Sequence, residues 1–276
     1  MSQTQTINPV AEAQEGKTHI EVGNSKTMKK PIEIKGQRTF ESSLLGKEEA
    51  FRLLSLAESL QLGILFVGPP GTGKTKIVTD YTKGMFDLTD PAQIEHFNNE
   101  GVFMLETDEG TKSSEIKGVV NLEKLVTENK YEIDSHICEA DTVIINEVDK
   151  ASSALRNALL GIMNERVLFN GKEKKKCKWK LFVATCNEIP KDELGNPFWD
   201  RFALKMTINR LAAGELIKYY KGGDKNYSTK IKINVPTREQ IEKVVVAPDK
   251  LEKFINVAYK SCSDRTLSFV PMMSRA

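Results

Sequence analysis

Gly68-Pro69-Pro70-Gly71-Thr72-Gly73-Lys74-Thr75 is the stretch of this sequence whose residue types and spacing are best suited to chemistry. A glycine, four residues, then glycine, lysine and threonine is the spacing of a phosphate-binding loop, and here it follows the apolar run Ile64-Leu65-Phe66-Val67. The glycines let several backbone N–H groups turn toward one anion. Lys74 adds a point charge for β- and γ-phosphates, and the Thr75 hydroxyl suits Mg²⁺. A helix expected from Lys74 to Tyr81 presents its positive N-terminus to the same anion.

Two further polar positions follow buried runs. Thr142-Val143-Ile144-Ile145-Asn146-Glu147 is apolar until its end, as expected of a parallel strand covered on both faces with functional groups at its carboxyl edge. Many P-loop ATPases carry an Asp on this strand to hold hydrated Mg²⁺ and a Glu to polarise the attacking water. Those places fall to Asn146 and Glu147. Leu181-Phe182-Val183-Ala184-Thr185-Cys186-Asn187 repeats the pattern and ends in an amide able to probe a γ-phosphate or the attacking water.

The elements that must position these groups can be read in chain order. Residues 1–30 are polar and without periodicity, which predicts a flexible arm. A short extended segment is expected at Pro31–Gln37 and a helix at Lys47–Leu60, with Phe51, Leu54 and Ala57 on its apolar face. Strands are predicted at 63–67, 101–106, 142–147, 181–187 and 203–208, with less regular chain through Asn99. A helix starting near Ser113 is expected to break at Gly118 and resume through Leu122 and Val126. Another spans Ala151–Glu165, with Ser152 or Ser153 at its start. Val167–Phe169 and Trp179–Ala184 flank Asn170-Gly171 and a lysine-rich run, as in a hairpin with a basic tip. That tip is either a solvated loop or a contact for phosphates or an acidic partner. The alternation across residues 47–210 predicts a parallel sheet with helices on both faces, in an α/β domain spanning 31–210. From 211 to 276 helices are expected at Ala213–Tyr220, Thr237–Val244, Asp249–Tyr259 and from Ser263, forming a small all-α domain; the helical pattern at its end leaves open a truncated form.

The 276 residues suffice for a sizeable core, and a net charge of +2 points neither to nor away from nucleic acid. Cys138, Cys177, Cys186 and Cys262 show no Cys-x-x-Cys spacing, so reduced thiols rather than a zinc site are expected. No run approaches the roughly 18 apolar residues of a membrane span, and a cytoplasmic protein is the expectation.

Six ordered segments resemble the MoxR branch of the AAA+ ATPases, and within it the RavA-type regulatory ATPases. They are Gly68–Thr75, Glu139–Lys150, Leu159–Arg166, Ala184–Pro190, Asp200-Arg201-Phe202 and Ser263-Asp264-Arg265. The resemblance implies ATP and Mg²⁺ as cofactors, with Gly68, Pro69, Pro70, Gly71, Thr72, Gly73, Lys74 and Thr75 as Walker A and Asn146 with Glu147 as Walker B. It makes Asn187 sensor 1, Arg201 an arginine finger reaching a neighbouring subunit, and Arg265 the sensor 2 residue of the lid, with Arg275 as second candidate. It implies a hexameric ring and a protein client or von Willebrand A domain partner. Asn146 departs from the family's usual Asp, which implies slow hydrolysis. Two other functions stay open: a nucleic-acid motor or loader using Lys172, Lys174, Lys175, Lys176 and Lys178, and a nucleotide-gated assembly protein.

Overall fold

In the computed structural model the described residues are 36–243, apart from 121, 130–132, 171–172, 194, 215–216 and 218–228. The chain runs β1 (Gln37–Ser42), α1 (Glu48–Leu60), β2 (Gly63–Val67), α2 (Lys74–Lys83) and α3 (Pro91–His96), then through a π-helical turn, Phe97–Gly101, into β3 (Val102–Glu106). Next come α4 (Ser114–Lys117), β4 (Val119–Val120), α5 (Leu122–Thr127), β5 (Ile133–Asp134), α6 (His136–Glu139) and β6 (Thr142–Asn146). The remainder is α7 (Ser153–Asn164), β7 (Val167–Asn170), β8 (Glu173–Lys176), β9 (Leu181–Cys186), α8 (Pro197–Asp200), β10 (Leu204–Thr207), β11 (Thr229–Asn234) and α9 (Arg238–Glu242).

Five strands form one sheet in the order β10-β2-β9-β6-β3, and every pairing is parallel. The three strands that read as unbroken apolar runs, β2, β9 and β6, lie in the middle, where both faces are covered. Successive residues serve opposite faces. Leu65, Val143, Ile145, Phe182 and Ala184 pack with Leu155 and Leu159 of α7 and with Trp199 of α8. Ile64, Phe66, Ile144 and Val183 pack with Leu54 of α1 and with Ile77 and Tyr81 of α2. Because all five strands run the same way, their carboxyl ends share one edge. There the P-loop, Glu106, Asn146, Glu147 and Asn187 gather.

The α/β core agrees with expectation, and so does the interruption at Gly118. That glycine has φ +78°, and a Cβ on it would lie 2.1 Å from the Asp134 carbonyl oxygen. The contact belongs to a two-residue ladder between β4 and β5 that no periodicity announces. Three local expectations change. The irregular stretch before Asn99 contains α3, capped by the Asp90 carboxylate; of the extended segment expected at Pro31–Gln37 only the last two positions are among the described residues, and Gln37 opens β1. The hairpin closes early: β7 pairs with β8, so Lys174, Lys175 and Lys176 lie along its return strand, while β9 belongs to the main sheet. Trp179 instead anchors the connection, donating from Nε1 to the Ile162 carbonyl at 3.2 Å beneath the Arg166 guanidinium, 3.8 Å from its ring centre.

The third change lies beyond residue 211, where a wholly helical segment is expected. β11 pairs antiparallel with β1 and buries Ile231 and Ile233 against α1 and α2. A strand of alternating Lys and Ile reads as weakly as a helix face until a partner edge fixes its period. α9 forms where a helix is expected, with a capping box between Thr237 and Gln240. The arm at 1–30, most of the helix at Ala213–Tyr220, the helices from 249 onward, Arg265 and Arg275 lie outside the described residues. Among the described residues no helix is long and apolar enough to cross a membrane.

Candidate active site

The P-loop leaves β2 at a position where only glycine fits. A Cβ on Gly68 would meet the Ile208 carbonyl oxygen at 2.2 Å, because the strand end is clasped from both sides: Gly68 N donates to Cys186 O (3.1 Å) and Ile208 N to Val67 O (2.7 Å). Thr72 Oγ1 donates to Pro69 O at 2.9 Å and closes the loop on itself. Gly73, at φ +85°, then starts α2, and Pro69, Pro70 and Gly71 remain exposed over the helix N-terminus.

Lys74 is buried, and its Nζ donates to Gly68 O (2.5 Å), Pro69 O (3.1 Å) and Asn187 Oδ1 (3.2 Å). Burial holds its ammonium below the ordinary lysine range, against the opposing pull of Cys186, Asp149 and Glu147. Burial likewise pushes the Cys186 thiol up to about 12. The cation is therefore solvated mainly by neutral carbonyl and amide dipoles, a setting in which an anion is a better partner than those already present.

Asn146 is the second centre. It is fully enclosed; Oδ1 accepts from Thr75 Oγ1 and Thr185 Oγ1, both at 3.1 Å, and Nδ2 donates to Glu106 Oε2 at 3.1 Å. Thr107 supports the same corner, its hydroxyl lying 2.9 Å from Asn146 O and 2.7 Å from Glu147 O. Glu147 adopts a left-handed backbone, φ 54° and ψ 40°, and its carboxylate pairs with Lys150. A non-glycine residue held in this region is a strained position stabilised by its surroundings. Asp149 faces the same edge with a buried Oδ1 that has no hydrogen-bond partner among the described residues, and burial, reinforced by Glu147 and opposed by backbone hydrogen bonds from Asp149 and Asn187, raises its carboxyl above the usual range.

Direct hydrogen bonds thus bring Lys74 to Asn187 and Thr75 to Asn146, and Glu147 follows Asn146 in the chain. Arg201 makes no hydrogen bond to any of them. It caps α8, whose Phe198 and Trp199 are buried and lie 6.0 and 5.8 Å from the Arg156 guanidinium; Arg156 also pairs with Glu193. The Nε of Arg201 is buried without a partner among the described residues. The buried aromatic turn of α8 thus carries an arginine whose hydrogen bonding is incomplete among the described residues. Glu106, Thr107, Thr185 and Asp149 are the functional candidates that sequence reasoning missed. The only signal in the sequence for Glu106 was its place at the polar end of a predicted strand.

The site suits a magnesium nucleotide. Thr75 and Asn146 offer hard oxygen atoms beside the P-loop, with Glu106 and Glu147 adjacent, and Mg²⁺ completes such sparse protein sets with phosphate oxygens and water. Among the described residues no group of three or more His, Cys, Asp or Glu could hold a metal without those phosphates.

A family model for the MoxR domain of MoxR-vWA-beta-propeller ternary systems matches residues 34–245. This chain belongs to the MoxR family of AAA+ ATPases. Among relatives of this MoxR chain, the uncharacterised protein MJ0079 of Methanocaldococcus jannaschii is 26% identical over 174 residues, covering 62% of the chain and 42% of that protein. The chaperone protein ClpB of Chlamydia pneumoniae is 31% identical over 138 residues, 46% of the chain and 14% of ClpB. The crystal structure of a protein from Cytophaga hutchinsonii, described as a "putative ATPase", superposes with a TM-score of 0.53 at 18% identity, over 79% of the chain and 64% of its own, and supports the fold. The chain spans less than half the length of the methanogen relatives it matches.

Proposed function

We propose that this MoxR ATPase hydrolyses Mg²⁺-ATP at sites shared between subunits of a ring, and that the cycle remodels a protein partner in the cytoplasm. The observation that carries the reading is the contact of Lys74 with Asn187 at the mouth of the P-loop. It joins the phosphate-binding cation to the strand end that senses the γ-phosphate.

In this reading phosphate oxygens take over the role of the Gly68 and Pro69 carbonyls at Lys74, and the N-terminus of α2 supports their charge. Thr75 and Asn146 would hold Mg²⁺ and its waters, and the ion would supply positive charge against the phosphates. Glu147, released from Lys150, orients the attacking water and accepts its proton as the water oxygen bonds to the γ-phosphorus and the bond to the ADP oxygen breaks. Asn187 holds that water or a γ-oxygen. Arg201 of one subunit stabilises the transition state in the next, which gives its incomplete hydrogen bonding a purpose, and Arg265 contributes from the lid. Asn146 carries no charge of its own, so turnover is slow.

The family model is named for systems containing vWA and beta-propeller proteins, which supports a von Willebrand A domain partner. The hairpin lysines favour protein contact over DNA tracking. Lys175 of the hairpin and Lys178 just beyond it lie 3.3 and 2.5 Å from the Glu139 carboxylate, and Lys180 before β9 lies 2.8 Å from that of Asp141, so part of the basic charge is already matched.

Steady-state hydrolysis measured across protein concentration tests the proposal with wild type, Glu147→Gln and Arg201→Ala. Activity per chain should rise with concentration, and Glu147→Gln should retain ATP binding with about a hundredfold or greater loss of turnover. Arg201→Ala should lose roughly a thousandfold in assembled protein. Full activity of an assembled Arg201→Ala ring overturns the shared site, and background turnover in wild type that binds ATP overturns the hydrolase.

A further inference from the structure

Asn146 and Glu106 face each other across two parallel strands. They are register partners in the β3–β6 ladder, and the amide Nδ2 donates to Glu106 Oε2 at 3.1 Å. The orientation of the amide is dictated by its neighbours: two hydroxyls, Thr75 Oγ1 and Thr185 Oγ1, converge on one end and a carboxylate meets the other. Turning the amide over would set its oxygen against the carboxylate, so only one orientation satisfies all three partners. A carboxylate at 146 could accept from both hydroxyls, but it would then lie at hydrogen-bond distance from a second carboxylate with no proton between them. Asn146 is fully buried, whereas Glu106 is exposed at the edge where nucleotide phosphates would sit.

We propose that Glu106 is a positioning residue that carries, from the adjacent strand, the negative charge that Asn146 lacks. It aims the Asn146 oxygen at Thr75 and adds its own charge to the outer surroundings of a divalent cation bound with nucleotide. The acid stands on β3 and the amide on β6, and the pair carries one negative charge. This inference rests on the Mg²⁺-nucleotide reading of the same site. It assigns Asn146 and Glu106 as a matched unit rather than Asn146 as a simple loss.

Affinity for Mn²⁺, followed by the paramagnetic signal of the free ion, tests it in the full chain saturated with a non-hydrolysable ATP analogue. Glu106→Gln should weaken Mn²⁺ binding about tenfold, the lower end of the range for residues that support metal ligands. The double variant Glu106→Gln/Asn146→Asp, with acid and amide exchanged across the same hydrogen bond, should return to the wild-type range. Without nucleotide or metal, Asn146→Asp alone should lower the melting temperature, and adding Glu106→Gln should restore it. Unchanged Mn²⁺ affinity in Glu106→Gln, a double variant no tighter than Glu106→Gln, or Asn146→Asp as stable as wild type each overturns the proposal. Analogue binding is recorded in the same samples. If the wild type binds no analogue, the ATPase reading fails and takes this inference with it; if it binds and Glu106→Gln behaves as wild type, only the role of Glu106 fails.

Discussion

Between β1, α1 and α2 the Glu58 carboxylate accepts from both terminal nitrogens of Arg38, at 2.7 and 2.5 Å, and from the Tyr81 hydroxyl at 2.7 Å, whereas at the sheet edge the Lys74 ammonium rests on carbonyl and amide oxygens. Both clusters bury a charge beside β2 and α2. In the first, charge meets charge in a planar fork, and nearby Asp80 is likewise matched, by the Lys76 ammonium and the Ser42 hydroxyl. In the second, a cation and a carboxylate are kept apart by neutral dipoles: Asn187 beside Lys74, Asn146 beside Glu106. A network closed by opposite charges stabilises the fold and has little to gain from a ligand. One solvated by dipoles can exchange them for phosphates and a metal.

The comparison is sharpest where one cluster is cut and the other is watched. Glu58→Ala leaves the Arg38 guanidinium and the buried Tyr81 hydroxyl without their acceptor. It should cost about 3 kcal/mol in chemical denaturation, as for a largely buried pair, while the folded variant keeps wild-type nucleotide affinity. Lys74→Met should do the reverse, losing about 2 kcal/mol of ATP binding, roughly thirtyfold, with stability equal to or above wild type because a desolvated charge is gone. Calorimetric titration and denaturation on the same samples check both. Tyr81→Phe should cost about 1 kcal/mol of stability, since Glu58 keeps both bonds from Arg38. Its own hydroxyl is driven above the ordinary phenol range by burial and by the Glu58 charge, so wild-type and variant nucleotide binding should be indistinguishable at neutral pH. Loss of ATP affinity in Glu58→Ala, or a large destabilisation in Lys74→Met, would erase the distinction between the two regions.

Legibility in the sequence followed the range of the interaction. The P-loop, the three apolar strands and the polar residues at their ends are visible because each is a local pattern, and hydrogen bonds join Lys74 to Asn187 and Thr75 to Asn146 in the folded chain. Trp179 was misplaced because an aromatic beside a strand reads the same whether it pairs in a hairpin or plugs α7. Ile231 and Ile233 were read into a helical region because only the edge of β1 gives their alternation a buried side. Glu106 reads only as the end of a strand, since nothing near it in the chain points to Asn146, forty residues away.

The chain by itself determined the chemistry available: a glycine-lysine-threonine loop, an amide and an acid at one strand end, an amide at another, and an arginine after a short aromatic helix. Tertiary structure decided which of these meet. Strand order set β6 between β9 and β3, so that Asn146 lies within reach of Thr185 on one side and Glu106 on the other. The same order put β9 beside β2, so that Asn187 reaches Lys74. The physical reason is that hydrogen-bonding groups act over about 3 Å, and only the register of adjacent strands brings residues so far apart in sequence within that distance.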